Sequence, residues 1–291
     1  MMSMNLVQLF AVTPDGPLPL PVPASARHIH DLFDSLPVGV YTALATFDHN
    51  KFLLLDDHLA RLENSLFLIG WDYRLDRIAL RRALHEVVSA YPLSNSRLRL
   101  DVLARPASQF KTESRLLIAL SPFYPIPESL YLDGVVVGTT RQLSRSEPLV
   151  KKAEFVLQRR ACLEADTNLY ECLMLDEDGY LLEGTTSNFY AVRDGVLWTA
   201  GHGVLEGIAR RLVLQVAADL GLSLHMDPVH IDEISHIEEA ALSSSSRAII
   251  PIIQIDDQTI GDGRPGPITH RLLHAYQDVV ARVIRPACEE Q

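Results

Sequence analysis

Apolar residues return along this chain with two distinct periods. Over 56–71 (DDHLARLENSLFLIGW), Leu59, Leu62, Leu66 and Ile69 recur at helical spacing, and RIALRRALHEVVSAY (77–91) repeats the pattern, so both read as amphipathic helices. The clearest helix is GIARRLVLQVAADLGL (207–222), with Ile208, Leu212, Val213, Val216 and Leu220 on one face. Alternation with period two marks strands instead. RLRLDVLA (97–104) alternates strictly, which predicts a half-buried strand with Arg97, Arg99 and Asp101 sharing a face. VGVYTALATF (38–47) and KFLLLDDH (51–58) are β-rich on either side of DHN, whose Asp and Asn suit a tight hairpin turn. Further strands are expected at 113–120, 133–140 and 171–176, and helices at about 154–165 and through to about 284. The stretch 181–200 reads as a hairpin turning at Arg193-Asp194-Gly195, and GDGRPGP (261–267) as a loop.

This mixture predicts an α/β (α+β) protein of two domains. SPFYPIPES (121–129) carries three prolines, which fix φ and remove backbone donors, so 121–130 is expected to be an extended linker. It would separate a small domain, 1–120, from a larger one, 131–291. The 291 residues suffice for two cores, and 47% hydrophobic with 22% charged residues is ordinary for a globular protein. A net charge of -11 and a pI near 5.4 argue against nucleic acid or an anionic membrane as partner, since an acidic surface repels phosphate. No apolar run reaches the roughly 18 residues of a membrane span. MMSMNLVQLFAVTPDG lacks the basic flank and apolar core of a signal peptide. Cys162, Cys172 and Cys288 show no metal-ligand spacing, and their odd number suits a reducing compartment. The expectation is a cytoplasmic protein without structural metal.

Lysine is scarce: Lys51, Lys111, Lys151 and Lys152 stand against 22 arginines. A lysine that bonds a carbonyl carbon must be the free amine part of the time, which arginine cannot supply. Lys151 and Lys152 fall between a strand-like segment and a predicted helix, where a pocket rim can form. Taken alone, they read as two solvated surface lysines.

Their surroundings decide the matter. SEPLVKKAEFVLQRRACLEA, then YECLMLDEDGYLLEGTTSNFYAVRDGVLWTA, then GVLEGIARRLVLQVAADLGL and SSSSRAIIPIIQIDDQTIGDGRPGPIT resemble the class IV aminotransferases. GVYTALATF and HLARLENS extend the likeness over nearly the whole chain. That family is the fold-type IV pyridoxal-phosphate (PLP) enzymes, comprising branched-chain and D-amino-acid aminotransferases and aminodeoxychorismate lyases.

The resemblance implies two α/β domains with PLP in the cleft between them, and a homodimer. It places the cofactor-bonding lysine on Lys151, with Lys152 as fallback; strand alternation should point the two apart. Glu183, in LLEGTTSN, matches the acid that keeps the ring nitrogen protonated so that the ring accepts electrons. Arg61 matches a phosphate-binding arginine, the amides of Ile208 and Ala209 match a phosphate-binding helix start, and Ser245 and Ser246 match a third phosphate element. Leu205 matches an apolar residue against the ring face, and Tyr41 one that lines the substrate pocket. Arg99, and secondarily Arg97, are nominated for the substrate carboxylate.

Some family positions differ here. Phe155 stands where branched-chain enzymes carry a Tyr that contacts the ring's phenolic oxygen, and Arg141 or Arg145 is considered for that contact. Thr42 stands in place of a frequent Glu, and RPASQFKTES (105–114) holds no Arg-x-His pair. The reading favoured is an aminotransferase moving an amino group between a branched-chain, apolar or D-amino acid and a 2-keto acid. Aminodeoxychorismate lyase is the alternative, and a non-catalytic binding protein on the same fold the outsider.

Overall fold

A computed structural model describes residues 6–32, 36–145, 147–153, 155 and 168–288. The chain divides into two compact units: one joins Met1–Pro125 to Val150–Glu154 and Val283–Gln291, the other consists of Ile126–Leu149 and Phe155–Arg282. The change of unit after Pro125 falls inside the proline-rich stretch. The chain also crosses on each side of Val150–Glu154, so Lys151 groups with the first unit.

In the first unit, β1 (Gln8–Thr13), β2 (Gly16–Leu20), β3 (Gly39–Phe47), β4 (Lys51–Leu53), β5 (Ser96–Leu103) and β6 (Leu116–Pro122) join the C-terminal strand Ile284–Pro286. Among the described residues they form a seven-stranded antiparallel sheet, ordered C-terminal strand, β4, β3, β5, β6, β1, β2. Two helices, α1 (Leu55–Leu68) and α2 (Arg77–Ser89), lie on one face. Their apolar stripes, Leu59, Leu62 and Leu66 with Leu80, Leu84 and Val87, pack onto Val40, Leu44, Leu98, Leu100 and Val102. Asp76 starts α2 by accepting the amides of Ile78 and Ala79 at 3.0 and 2.9 Å. The opposite face is partly covered by Leu20, Ala26, Ile29 and Leu32. KFLLLDDH is not one strand: β4 ends at Leu53 and α1 begins at Leu55, across a left-handed Leu54 (φ 49°). Asp56 and Asp57 favour that helix start because negative charge complements the helix dipole there.

The second unit holds α3 (Glu128–Leu132), α4 (Ile208–Asp219) and α5 (Pro267–Val283). Its strands are β7 (Val135–Thr140), β8 (Glu171–Leu175), β9 (Tyr180–Gly184), β10 (Asn188–Arg193), β11 (Val196–Trp198), β12 (Leu224–His225), β13 (Val229–His230), β14 (Glu239–Ser244), β15 (Ala248–Ile255) and β16 (Gln258–Thr259). Neighbouring strands run β10, β14, β15, β7, β8, β9, and the pair Asn188–Glu183 links β9 back to β10, closing six strands into a barrel. Phe189, Ala191, Leu173, Leu175, Leu242, Ile250 and Ile252 fill its inside. Tyr190 and Val192, of opposite parity, face outward, where they share a small apolar cavity with Val213 of α4 and Leu272 of α5. The expected hairpin at Arg193–Gly195 is β10–β11, turning through positive φ at Asp194 and Gly195. The helix expected at about 154–165 lies, apart from Phe155, outside the described residues.

No helix among the described residues is long and apolar enough to cross a membrane. Cys172 is buried and disulfide-bonded, while Cys288 is free.

Candidate active site

In the first unit, Lys151 is placed by backbone pairing. Val40 and Lys152 face each other in an antiparallel bridge, Tyr41 N donates to Lys151 O at 3.0 Å, and Ala153 N to Gly39 O at 2.9 Å. Pairing by alternation puts Lys151 on the side of Tyr41 and Lys152 on the side of Val40, which belongs to the helix-covered core. Lys151 Nζ lies 5.1 Å from the centre of the Tyr41 ring, within cation–π range.

The same sheet face carries the odd-numbered residues of β5. Arg99 donates from Nε and Nη2 to the two carboxylate oxygens of Asp101, at 2.8 and 2.6 Å, and its guanidinium lies 3.9 Å from the Tyr41 ring centre. Arg99 is 1% and Asp101 0% exposed. Alternation assigns faces but not what covers them: on this face Arg99 and Asp101 are buried while Arg97 is exposed. The forked edge of Arg99, nominated for a substrate carboxylate, is taken by Asp101. Burial pushes the Asp101 carboxyl above the usual carboxylate range, with Arg99 working against that rise. Arg97 is exposed, its guanidinium 5.8 Å from the Phe123 ring centre. Arg61 projects from α1, and its Nη2 donates to Thr42 Oγ1 at 3.0 Å; Thr42 in turn meets His58 Nδ1 at 2.8 Å.

In the second unit, Glu183 is aimed by a β-bulge. Met174 pairs with Glu183 but Leu175 pairs with Leu181, so Leu182 is an extra residue on β9. Leu181 and Glu183 have the same parity, yet Leu181 joins the barrel interior while Glu183 shares the face of Met174. Without that extra residue the carboxylate would point into hydrocarbon. Instead Oε1 accepts Arg145 Nε at 2.7 Å, and Oε2 accepts Asn188 Nδ2 at 3.0 Å and the Leu205 amide at 3.1 Å. The registers Asn188–Glu183 and Asn188–Ser243 bring the β9–β10 and β14–β15 turns to one end of the barrel. Asn188 ties the start of α4 to that end by donating to Leu205 O at 2.8 Å.

Ile208 and Ala209 open α4 with no side chain capping them, which leaves the first amides for an anion. Gly207 precedes them because a Cβ there would collide with the Asn188 side chain. Buried Arg210 adds positive charge to that first turn and donates to Ala200 O at 2.7 Å. Ser245 and Ser246, half-buried, form the turn closed by Arg247 N and Ser244 O at 3.2 Å. Arg247 braces both turns: it donates to Glu171 Oε2 at 3.0 Å, Ser244 Oγ at 2.9 Å and Thr186 Oγ1 at 2.5 Å. Glu171 also accepts Thr186 Oγ1 at 2.9 Å. Burial opposes the charge on Arg247, but Glu171 and Tyr170 outweigh it and hold its pKa above the ordinary value. Gly184 is needed between the strand and this turn, since a Cβ would approach Glu171 Oε1 to 2.7 Å. Burial likewise raises the Tyr190 phenol, which meets Ser243 Oγ at 2.9 Å.

Asn188, Arg145, Glu171, Arg247 and Arg210 all support this end of the barrel, and none of them was assigned such a role from the sequence. Arg141, considered beside Arg145 for the phenolic oxygen, is exposed and donates to the carbonyls of Asp176 and Glu177 at 3.1 and 3.0 Å. The donor set suits a phosphorylated pyridine ring: a carboxylate fixed in orientation for a ring N–H, and open amides and hydroxyls for a phosphate.

A family model described as amino-transferase class IV matches residues 39–255. The chain is 30% identical over 256 residues to a D-alanine aminotransferase of Bacillus licheniformis, covering 83% of this chain and 87% of the relative. It is 24% identical over 269 residues to a branched-chain-amino-acid aminotransferase of Escherichia coli K12, covering 85% and 86% of the two chains. The fold is similar to that of a branched-chain amino acid aminotransferase from Thermoproteus uzoniensis solved with norvaline, at TM-score 0.76 and 22% identity, covering 97% of this chain and 99% of the other.

Proposed function

The chain belongs to the class IV aminotransferases, which use pyridoxal phosphate, and from that premise we propose how its own residues divide the work of transamination. The observation that carries the assignment is the pairing at the start of β3, which turns Lys151 toward Tyr41 and Lys152 toward the helix-covered core. Lys151 carries the cofactor. When bound, the cofactor supplies an electron sink that acidifies the substrate's α-C–H bond. Lys151 Nζ, once its amine is free, would hold the proton taken from the substrate's α-carbon and give it up again, serving as base and then acid.

Glu183 would accept a hydrogen bond from the ring N–H and so keep that nitrogen protonated, its oxygens already oriented by Arg145, Asn188 and the Leu205 amide. The Ile208 and Ala209 amides with Ser245 and Ser246 are the donors proposed for the phosphate, and Arg61 is offered as a charge-assisted contact to it on the strength of the family resemblance. Leu205 supplies apolar surface for the ring. Tyr41 lines the substrate pocket, Arg99 steadies Tyr41, and Arg97 is the arginine of β5 offered to a substrate carboxylate.

The relatives are named for D-alanine and for branched-chain amino acids. The substrate proposed here is correspondingly an amino acid with a small or branched apolar side chain, with a 2-keto acid as acceptor. A screen of D- and L-alanine, valine, leucine, isoleucine, aspartate, glutamate and lysine against pyruvate and 2-oxoglutarate tests this. Activity with at least one of the apolar donors is expected, and activity confined to charged donors overturns the substrate class. A homodimer in the cytoplasm is part of the same proposal, supported by the family resemblance; sedimentation of the holoenzyme at the mass of one chain would contradict the dimer.

A further inference from the structure

Arg145 was a candidate for the cofactor's phenolic oxygen, but its contacts lead elsewhere. Its guanidinium lies 4.0 Å from the ring centre of Phe155, its Nε donates to Glu183 Oε1 at 2.7 Å, and its Nη2 reaches Thr185 O at 3.5 Å. The Arg145 and Glu183 side chains are 7% and 2% exposed, so the pair is shielded from water. Phe155 is itself fixed in a small apolar cluster with Leu143 and Met174, and Met174 is the cross-strand partner of Glu183. Ring, guanidinium and carboxylate thus form one stack on the outer face of the barrel.

We propose that Arg145 is a positioning residue that acts through Glu183, clamping its carboxylate in one orientation and holding it ionised for the cofactor's ring nitrogen. This rests on the reading of Glu183 as that nitrogen's partner. The Asn188 amide and the Leu205 N–H both serve Oε2, while Arg145 donates on the Oε1 side. A buried carboxylate is costly as an anion unless charge and hydrogen bonds compensate it, and a guanidinium supplies both. Lysine could supply the charge but neither the planar stack on Phe155 nor a donor set in that plane. Phe155, which stands where branched-chain enzymes use a tyrosine, is then the platform for Arg145.

A double-mutant cycle tests the inference: Arg145→Met, Glu183→Gln and both together, read as kcat, KM for the amino donor, and PLP affinity of the apoprotein titrated by tryptophan fluorescence. Arg145→Met is expected to lower kcat and PLP affinity each by on the order of tenfold, the scale of one lost charge-assisted hydrogen bond, with KM within about twofold. In the Glu183→Gln background the same change is expected to have almost no further effect, because residues acting as a unit are not additive. Arg145→Lys should recover part of kcat. Multiplying effects on kcat and PLP affinity would overturn the proposal and return Arg145 to an independent cofactor contact. A raised KM at unchanged kcat would overturn it in favour of substrate binding. Glu183→Gln at the wild-type rate would instead refute the reading of Glu183, a distinct outcome. If Arg145→Met does not melt cooperatively, Arg145→Gln, which keeps a neutral donor, takes its place in the cycle under the same criteria.

Discussion

Replacing Asp101 by asparagine takes one charge out of a buried pair and leaves the other behind. Arg99 and Asp101 are 1% and 0% exposed and share two hydrogen bonds of 2.8 and 2.6 Å. The asparagine keeps the shape, accepts one of those bonds and turns an NH₂ toward the guanidinium. Stranding a buried charge in this way costs about 3–5 kcal/mol. At about 2–4 °C per kcal/mol, the melting point should fall by about 6–20 °C. The measurement is thermal or urea unfolding of the apoprotein, so that cofactor binding does not mask the loss. The double variant Arg99→Met/Asp101→Leu leaves no charge stranded and should return to within about 1 kcal/mol of the parent. Its activity should not return, because Tyr41 has lost a stacked guanidinium 3.9 Å away, a contact worth up to about 2 kcal/mol when dry. A melting point for Asp101→Asn within about 2 °C of the parent would mean that Asp101 is neutral in the fold or that the pair is not buried as described. Full activity in the double variant would refute the positioning of Tyr41 by Arg99.

The lysine assignment is checked by reducing the holoenzyme with borohydride and mapping the labelled peptide: Lys151→Ala should lose the trapped cofactor and Lys152→Ala keep it, and an adduct on Lys152 would reverse the assignment. Arg61→Ala removes a charge-assisted phosphate contact of about 1.5–3 kcal/mol, so PLP affinity of the apoprotein should fall by about one to two decades; unchanged affinity would make Arg61 a local partner of Thr42 only.

Periodicity made the long amphipathic elements legible. The helices read over 56–71, 77–91 and 207–222 are Leu55–Leu68, Arg77–Ser89 and Ile208–Asp219. What it could not show was the effect of tertiary context. The hairpin β1–β2 carries Pro17 and Pro19, which argue against a strand, yet β2 is an edge strand, where a missing N–H costs nothing. The β-bulge at Leu182 leaves no mark in LLEG, although it decides which way Glu183 points. Arg99 and Asp101 were placed on the correct shared face, but their burial depends on elements far away in sequence. Glu171, Asn188 and Arg247 are single polar residues without periodic signature, and only strand register brings them together.

The most direct test of the aminotransferase account uses the holoenzyme, one good amino donor and no acceptor. Because the amino group is stored on the enzyme between half-reactions, one keto acid per active site should be released, after which the reaction should stop until a 2-keto acid is added. Release of pyruvate over many turnovers from aminodeoxychorismate, with no keto acid from any amino acid donor, would contradict it and make the protein a lyase.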